Sequence, residues 1–120
     1  MTLNIRTFVA GPFQTNAYLA WDDETLDAMI VDAPPDAGAS LLTAIRDERL
    51  QPRLIVLTHS HWDHIVDTNL LARTTGARIA AHPDSAPAVT DPNALFGGGM
   101  LPIQAEPVTP DVLLDDGDTV

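Results

Sequence analysis

The chain has 120 residues, one domain by length, with six basic residues against seventeen acidic ones for a formal charge of −11. A field of that sign repels phosphate backbones, which argues against nucleic acid as a partner, and it disfavours acidic substrates unless a metal or basic patch offsets it. There is no cysteine, so disulfides and thiolate ligands are excluded and any metal must be held by imidazole and carboxylate.

In chain order, Leu3 to Val9 reads as a strand broken by Gly11-Pro12, and Asn16 to Trp21 as a second strand ended by the Asp22-Asp23-Glu24 turn. Ala28-Met29-Ile30-Val31 is a short continuous apolar run, the pattern of a buried strand, and it delivers Asp32 to its end before Pro34-Pro35. Asp36 is then the expected N-cap of a helix from about Ala37 to Arg49, with Leu41, Leu42, Ile45 and Arg49 on one face. Pro52 separates this helix from Leu54-Ile55-Val56-Leu57, the most strand-like segment. A second helix is expected from Val66 to Thr74, closed by Gly76, and Ala77 to Ala81 returns as a strand. Alternation of this kind implies an α/β fold whose sheet is at least partly parallel.

From Pro83 to Pro110 the chain carries six of its ten prolines and Gly97-Gly98-Gly99, with no sustained period. A long surface loop with room for one short helix is expected there. Val112 to Val120 reads as a strand, a turn at Asp116-Gly117 and the start of another strand.

The chemistry concentrates after the fourth strand. Three histidines and an aspartate, His59, His61, Asp63 and His64, fall within six residues directly behind a buried strand, where open α/β sheets place ligands. In an extended segment His59 and His61 point the same way and can converge on one ion. Asp63 and His64 come where the chain turns towards a helix, so they can reach a second position nearby. Imidazole and carboxylate suit zinc, and also iron or manganese.

The segment Thr58-His59-Ser60-His61-Trp62-Asp63-His64 resembles the Thr-His-x-His-x-Asp-His signature of the metallo-β-lactamase superfamily, in particular its glyoxalase II-like hydrolases. Asn16-Ala17-Tyr18-Leu19, Ile30-Val31-Asp32 and Leu114-Asp115-Asp116-Gly117-Asp118 resemble that family's other N-terminal landmarks, in the right order. The resemblance implies an αββα sandwich, of which residues 1–120 form the N-terminal portion, and a site for two divalent metal ions, zinc foremost. It assigns His59 and His61 to the first metal and Asp63 and His64 to the second, with Asp63 also in the catalytic set. Asp32 would support the ligand loop by hydrogen bonds; as a bare strand-end aspartate it could instead cap a turn. The implied reaction is hydrolysis of a thioester of the hydroxyacylglutathione kind, or a related small ester, by a metal-bound hydroxide. A nuclease or a lactamase on the same scaffold, or a truncated metal-binding fragment without activity, is the alternative.

Two departures stand out. The family has glycine three residues after the last histidine of the signature, where this chain has Asp67; its carboxylate could crowd the helix start, join the metals or face solvent. After Asp32 the family's Pro-Gly turn is replaced by Ala33-Pro34-Pro35. The family's further metal ligands lie beyond this point, and the remaining histidine, His82, precedes Pro83 and is expected not to be a ligand. The expected partner is a small-molecule substrate. Two chains could also pair as a homodimer through exposed strand edges. No apolar run approaches the ~20 residues that span a membrane, and no signal-peptide layout precedes Asp22, so the cytoplasm is the expected address.

Overall fold

The computed structural model describes residues 2–90 and 106–120. It contains a six-stranded mixed sheet whose strands lie side by side in chain order. The strands are β1 (Leu3–Ala10), β2 (Thr15–Asp22), β3 (Asp27–Val31), β4 (Gln51–Val56), β5 (Arg78–Ala81) and β6 (Val112–Leu113). β1, β2 and β3 form an antiparallel meander, while β3, β4, β5 and β6 run parallel. The helices α1 (Ala37–Asp47), α2 (Trp62–Ile65) and α3 (Thr68–Thr75) supply the crossovers, and α4 (Ala86–Thr90) is the short helix allowed for after Pro83.

The core follows from the strand register. Leu19, Ile30, Ile55 and Ile79 lie opposite one another across β2 to β5, and all four are buried. Leu41, Ala44 and Ile45 of α1 and Leu71 of α3 pack on this row, and the same apolar cluster takes in Ala37 and Ile65. Burial of side chains of this size contributes roughly 1.5–3 kcal/mol each. One sheet with a helical layer on one face is the αβ half of the αββα sandwich.

Several elements differ from the sequence expectation for physical reasons. Pro52 lies inside β4, at a register shift where Ala28 pairs with Pro52 and Met29 with Leu54. A bulge at that point accommodates a residue with no N–H to donate. The helix expected over Val66–Thr74 is α3, which starts two residues later at Thr68 because the Asp67 N–H donates to Ala33 O at 2.9 Å, outside its own helix; a separate short helix, α2, precedes it. α1 ends at Asp47, and Arg49 in the left-handed conformation (φ 57°) turns the chain so that Leu50 N–H reaches Ile45 O. Asp36 occupies the N-cap position of α1 but, at φ 69°, makes no side-chain capping bond. Residues 118–120 form no strand; Asp118 turns its carboxylate back onto the Asp115 N–H at 2.8 Å. Gly97-Gly98-Gly99 lies outside the described residues. Among those residues no helix is long and apolar enough to cross a membrane.

Candidate metal centre

β3 and β4 run parallel and side by side, so the segments leaving their C-terminal ends meet. The first brings Asp32 and the second Thr58 to His64. Asp32 is 3% exposed and sits in the left-handed conformation (φ 65°). Such a backbone is unfavourable for a residue with a Cβ and persists only where the surroundings fix it. Here Asp32 N–H donates to Val56 O at 2.9 Å, prolonging the β3–β4 pairing by one bond.

The Asp32 carboxylate takes up the polar groups of the ligand loop. Oδ1 accepts the Thr58 N–H at 2.8 Å, and Oδ2 accepts the Thr58 hydroxyl at 2.7 Å. His64 Nδ1 lies 2.7 Å from the same Oδ2. Since that oxygen is an acceptor, it selects the His64 tautomer with hydrogen on Nδ1 and leaves the Nε2 lone pair free. Thr58 Oγ1 also lies 2.9 Å from His59 Nδ1. The hydroxyl gives its hydrogen to Asp32 and can then accept one from His59, so the same tautomer is favoured there. One buried carboxylate thereby orients two imidazoles, one directly and one through Thr58.

The four residues of the signature come together. The His59 and His64 ring centroids are 4.0 Å apart, those of His59 and His61 4.8 Å apart, and Asp63 Oδ2 lies 3.5 Å from His64 Nε2. Asp63 is held from β2, where Thr15 Oγ1 donates to its Oδ2 at 2.7 Å. Asp32, His59 and His64 each offer a ligand atom within 4.8 Å of the others. Asp32 is nevertheless a poor ligand candidate, because it is buried and both its oxygens are already engaged. Crowding of imidazoles shows in the electrostatics. Burial, then the neighbouring His64 and His61, hold the His59 pKa below its ordinary 6.5, outweighing the opposing pull of Asp32 and Asp63. A neutral ring keeps the lone pair that a cation needs. Clustered imidazoles with free lone pairs and an adjacent carboxylate therefore fit a divalent metal.

Asp67 does not join this cluster. Its Oδ2 accepts the Gly38 N–H in the first turn of α1 at 2.8 Å, doing from a distance what Asp36 does not do locally. Burial pushes its carboxyl up from the ordinary range, against the opposing pull of that hydrogen bond. His82 is also elsewhere, with its ring against Asp84 (3.6 Å) and Asp115 (3.3 Å). Thr15 was missed by the sequence reading. It is 48 residues from Asp63, and nothing in the local pattern ties a threonine at the start of a strand to a metal ligand. Thr58 stands in the signature, but its double role needs the distances.

An α/β sheet with histidines and aspartates gathered beyond its parallel strands is a scaffold suited to binding metal. The pattern of the metallo-beta-lactamase superfamily matches residues 10–120, and the chain belongs to that superfamily. It is 37% identical over 95 residues to the uncharacterized protein ML0493 of Mycobacterium leprae, covering 79% of this chain and 43% of that one. It is 40% identical over 60 residues to a hydroxyacylglutathione hydrolase of Rhodobacter capsulatus, half of this chain and 23% of the other. Among solved structures, the BLEG-1 B3 metallo-beta-lactamase superposes with a TM-score of 0.80 at 30% identity, over 94% of this chain and 54% of that one. The chain thus spans less than half the length of these two relatives.

Proposed function

We propose that this chain carries the N-terminal half-site of a metal-dependent hydrolase. His59 and His61 would hold one ion and Asp63 and His64 a second, zinc in preference to iron or manganese. The observation that carries the reading is the shared acceptor Asp32 Oδ2, which receives Thr58 Oγ1 and His64 Nδ1 at 2.7 Å each. A buried carboxylate spent on aiming imidazole rings is the support that metal ligands require. When bound, the metals supply an acidified water and a Lewis acid for the substrate carbonyl.

The protein's own residues then have distinct tasks. Asp32 and Thr58 fix the imidazole rings, Thr15 fixes the Asp63 carboxylate, and none of these needs to move a proton during the reaction. A thioester suits such a site, because a thiolate leaves without a general acid. The hydroxyacylglutathione hydrolase relative supports that substrate class. The likeness to BLEG-1 favours a lactam as the second reading, while the charge of −11 counts against nucleic acid.

The test is hydrolysis of an acylated glutathione and of a chromogenic β-lactam by zinc-loaded protein, with and without chelator. Chelator-sensitive thioester turnover is expected. Turnover of the lactam alone would replace the substrate assignment, and failure of the chain to retain zinc would remove the half-site reading.

A further inference from the structure

The turn between Asp32 and α1 must hold a buried aspartate at positive φ, and its own sequence provides little to do so. Ala33-Pro34-Pro35 offers one backbone N–H, and Asp36 makes no side-chain cap. Asp67 closes this turn at both ends. Its N–H donates to Ala33 O at 2.9 Å, and its Oδ2 accepts the Gly38 N–H at 2.8 Å. The Ala33 N–H in turn donates to His64 O at 2.7 Å. His64 is therefore held by its ring through Asp32 and by its backbone through Ala33, and both holds depend on where the turn sits.

Gly38 is matched to this arrangement. A Cβ there would come within 2.9 Å of Asp67 Oδ2 and 2.8 Å of Leu70 Cδ2. The first contact is with a carboxylate tethered by its own hydrogen bond, so a methyl group at position 38 has to displace it. The carboxylate at 67 and the absent side chain at 38 form one fitted pair.

We infer that Asp67 is a positioning residue for the metal centre, clamping the 33–38 turn so that Asp32 and Ala33 hold His64 in its ligating orientation. This rests on the reading that His64 binds metal. Asp67 touches neither metal nor substrate, and its effect passes entirely through the turn. The neutral amide of asparagine still presents an oxygen to the Gly38 N–H, so the clamp requires an acceptor and not a charge.

The test uses the whole chain with Asp67→Ala, Asp67→Asn and Gly38→Ala, each checked for folding by circular dichroism. Zinc affinity is read by competition with a chromophoric chelator, and the His64 ring by its ¹⁵N resonances. Asp67→Ala and Gly38→Ala should each weaken zinc by about tenfold, at the lower end of the effect of removing support from a metal ligand. Both should shift the His64 ring signals, while Asp67→Asn stays within about threefold of the parent because it keeps the acceptor. Folded Asp67→Ala or Gly38→Ala protein with unchanged affinity and ring signals would overturn the inference. Asn failing as badly as Ala would also overturn it. If Asp67→Ala does not fold, Gly38→Ala and Asp67→Asn decide. If the parent chain holds no zinc, the half-site reading fails, and the His64 resonances alone decide whether Asp67 sets the ring.

Discussion

Two histidine–aspartate pairs in this molecule have the same chemistry and very different confinement. His64 and Asp32 meet at 2.7 Å, with side chains 22% and 4% exposed. His82 and Asp115 meet at 3.3 Å, with side chains 43% and 71% exposed. Asp32 is closely held, because Thr58 bonds both its oxygens, the β3–β4 pairing bonds its backbone and the 33–38 turn follows it. Asp115 belongs to a local turn in which its carboxylate also accepts the Asp116 N–H. A histidine becomes a dependable ligand when its other nitrogen is fixed by a group that is itself fixed. Only the first pair satisfies that condition.

The largest effect should come from breaking the confined pair. Asp32→Ala leaves Thr58 N–H, Thr58 Oγ1 and His64 Nδ1 without their shared acceptor at a part-buried site, at a cost of about 1–3 kcal/mol. Zinc affinity should fall by about a hundredfold, because both imidazoles lose their aim. Urea denaturation and chelator competition measure the two effects. An Asp32→Ala protein with near-parental zinc affinity would show that the rings hold themselves. Thr15→Val sharpens the comparison at the next level down, since it removes a single bond to a single ligand. It should cost about 1 kcal/mol in stability and about tenfold in zinc affinity, with Thr15→Ser restoring both.

What the sequence made legible divides along the same line. The signature His59-Ser60-His61-Trp62-Asp63-His64 is local, so its position behind a buried strand could be read directly. The α/β alternation was visible for the same reason, because Leu41, Leu42 and Ile45 or Ile30 and Val31 announce their periods within a few residues. The supports were not visible. Thr15 reaches Asp63 across 48 residues and Asp67 reaches Gly38 across 29, and each contact exists only once the sheet has formed. The late start of α3 has the same origin, since the bond from Asp67 to Ala33 sets it apart from α2. Asp36 looked like a helix cap by type and place, but its left-handed backbone left the role to Asp67.

The metal-free protein should also carry a signature of the crowded rings in its response to acid. The His59 pKa lies below 6.5, chiefly through burial and then through His64 and His61. The unfolded chain therefore takes up this proton first as pH falls. The stability contributed by a neutral His59 is fully present above about 6.5 and is lost as pH drops through the lower folded-state value. Denaturant midpoints measured from pH 7.5 to 5 should decline in that window by less than one proton's worth of slope. His59→Asn should flatten the decline. An unchanged slope would mean that neither burial nor the neighbouring rings hold the His59 pKa down in solution.

The smallest expected effect belongs to the exposed pair, and a small effect is informative there. The Asp115 carboxyl is held below its ordinary pKa first by the Asp116 N–H and only then by His82, and it lies at the surface where salt screens charges. His82→Ala and Asp115→Asn should therefore leave zinc affinity within about twofold of the parent, since neither group supports a ligand ring. The chelator competition that reports on Asp32→Ala measures this on the same scale. A tenfold loss in either variant would bring His82 into the metal site and end the contrast between the pairs. An unchanged affinity beside a hundredfold loss in Asp32→Ala would establish that confinement, more than residue type, separates a ligand histidine from a surface one in this fold.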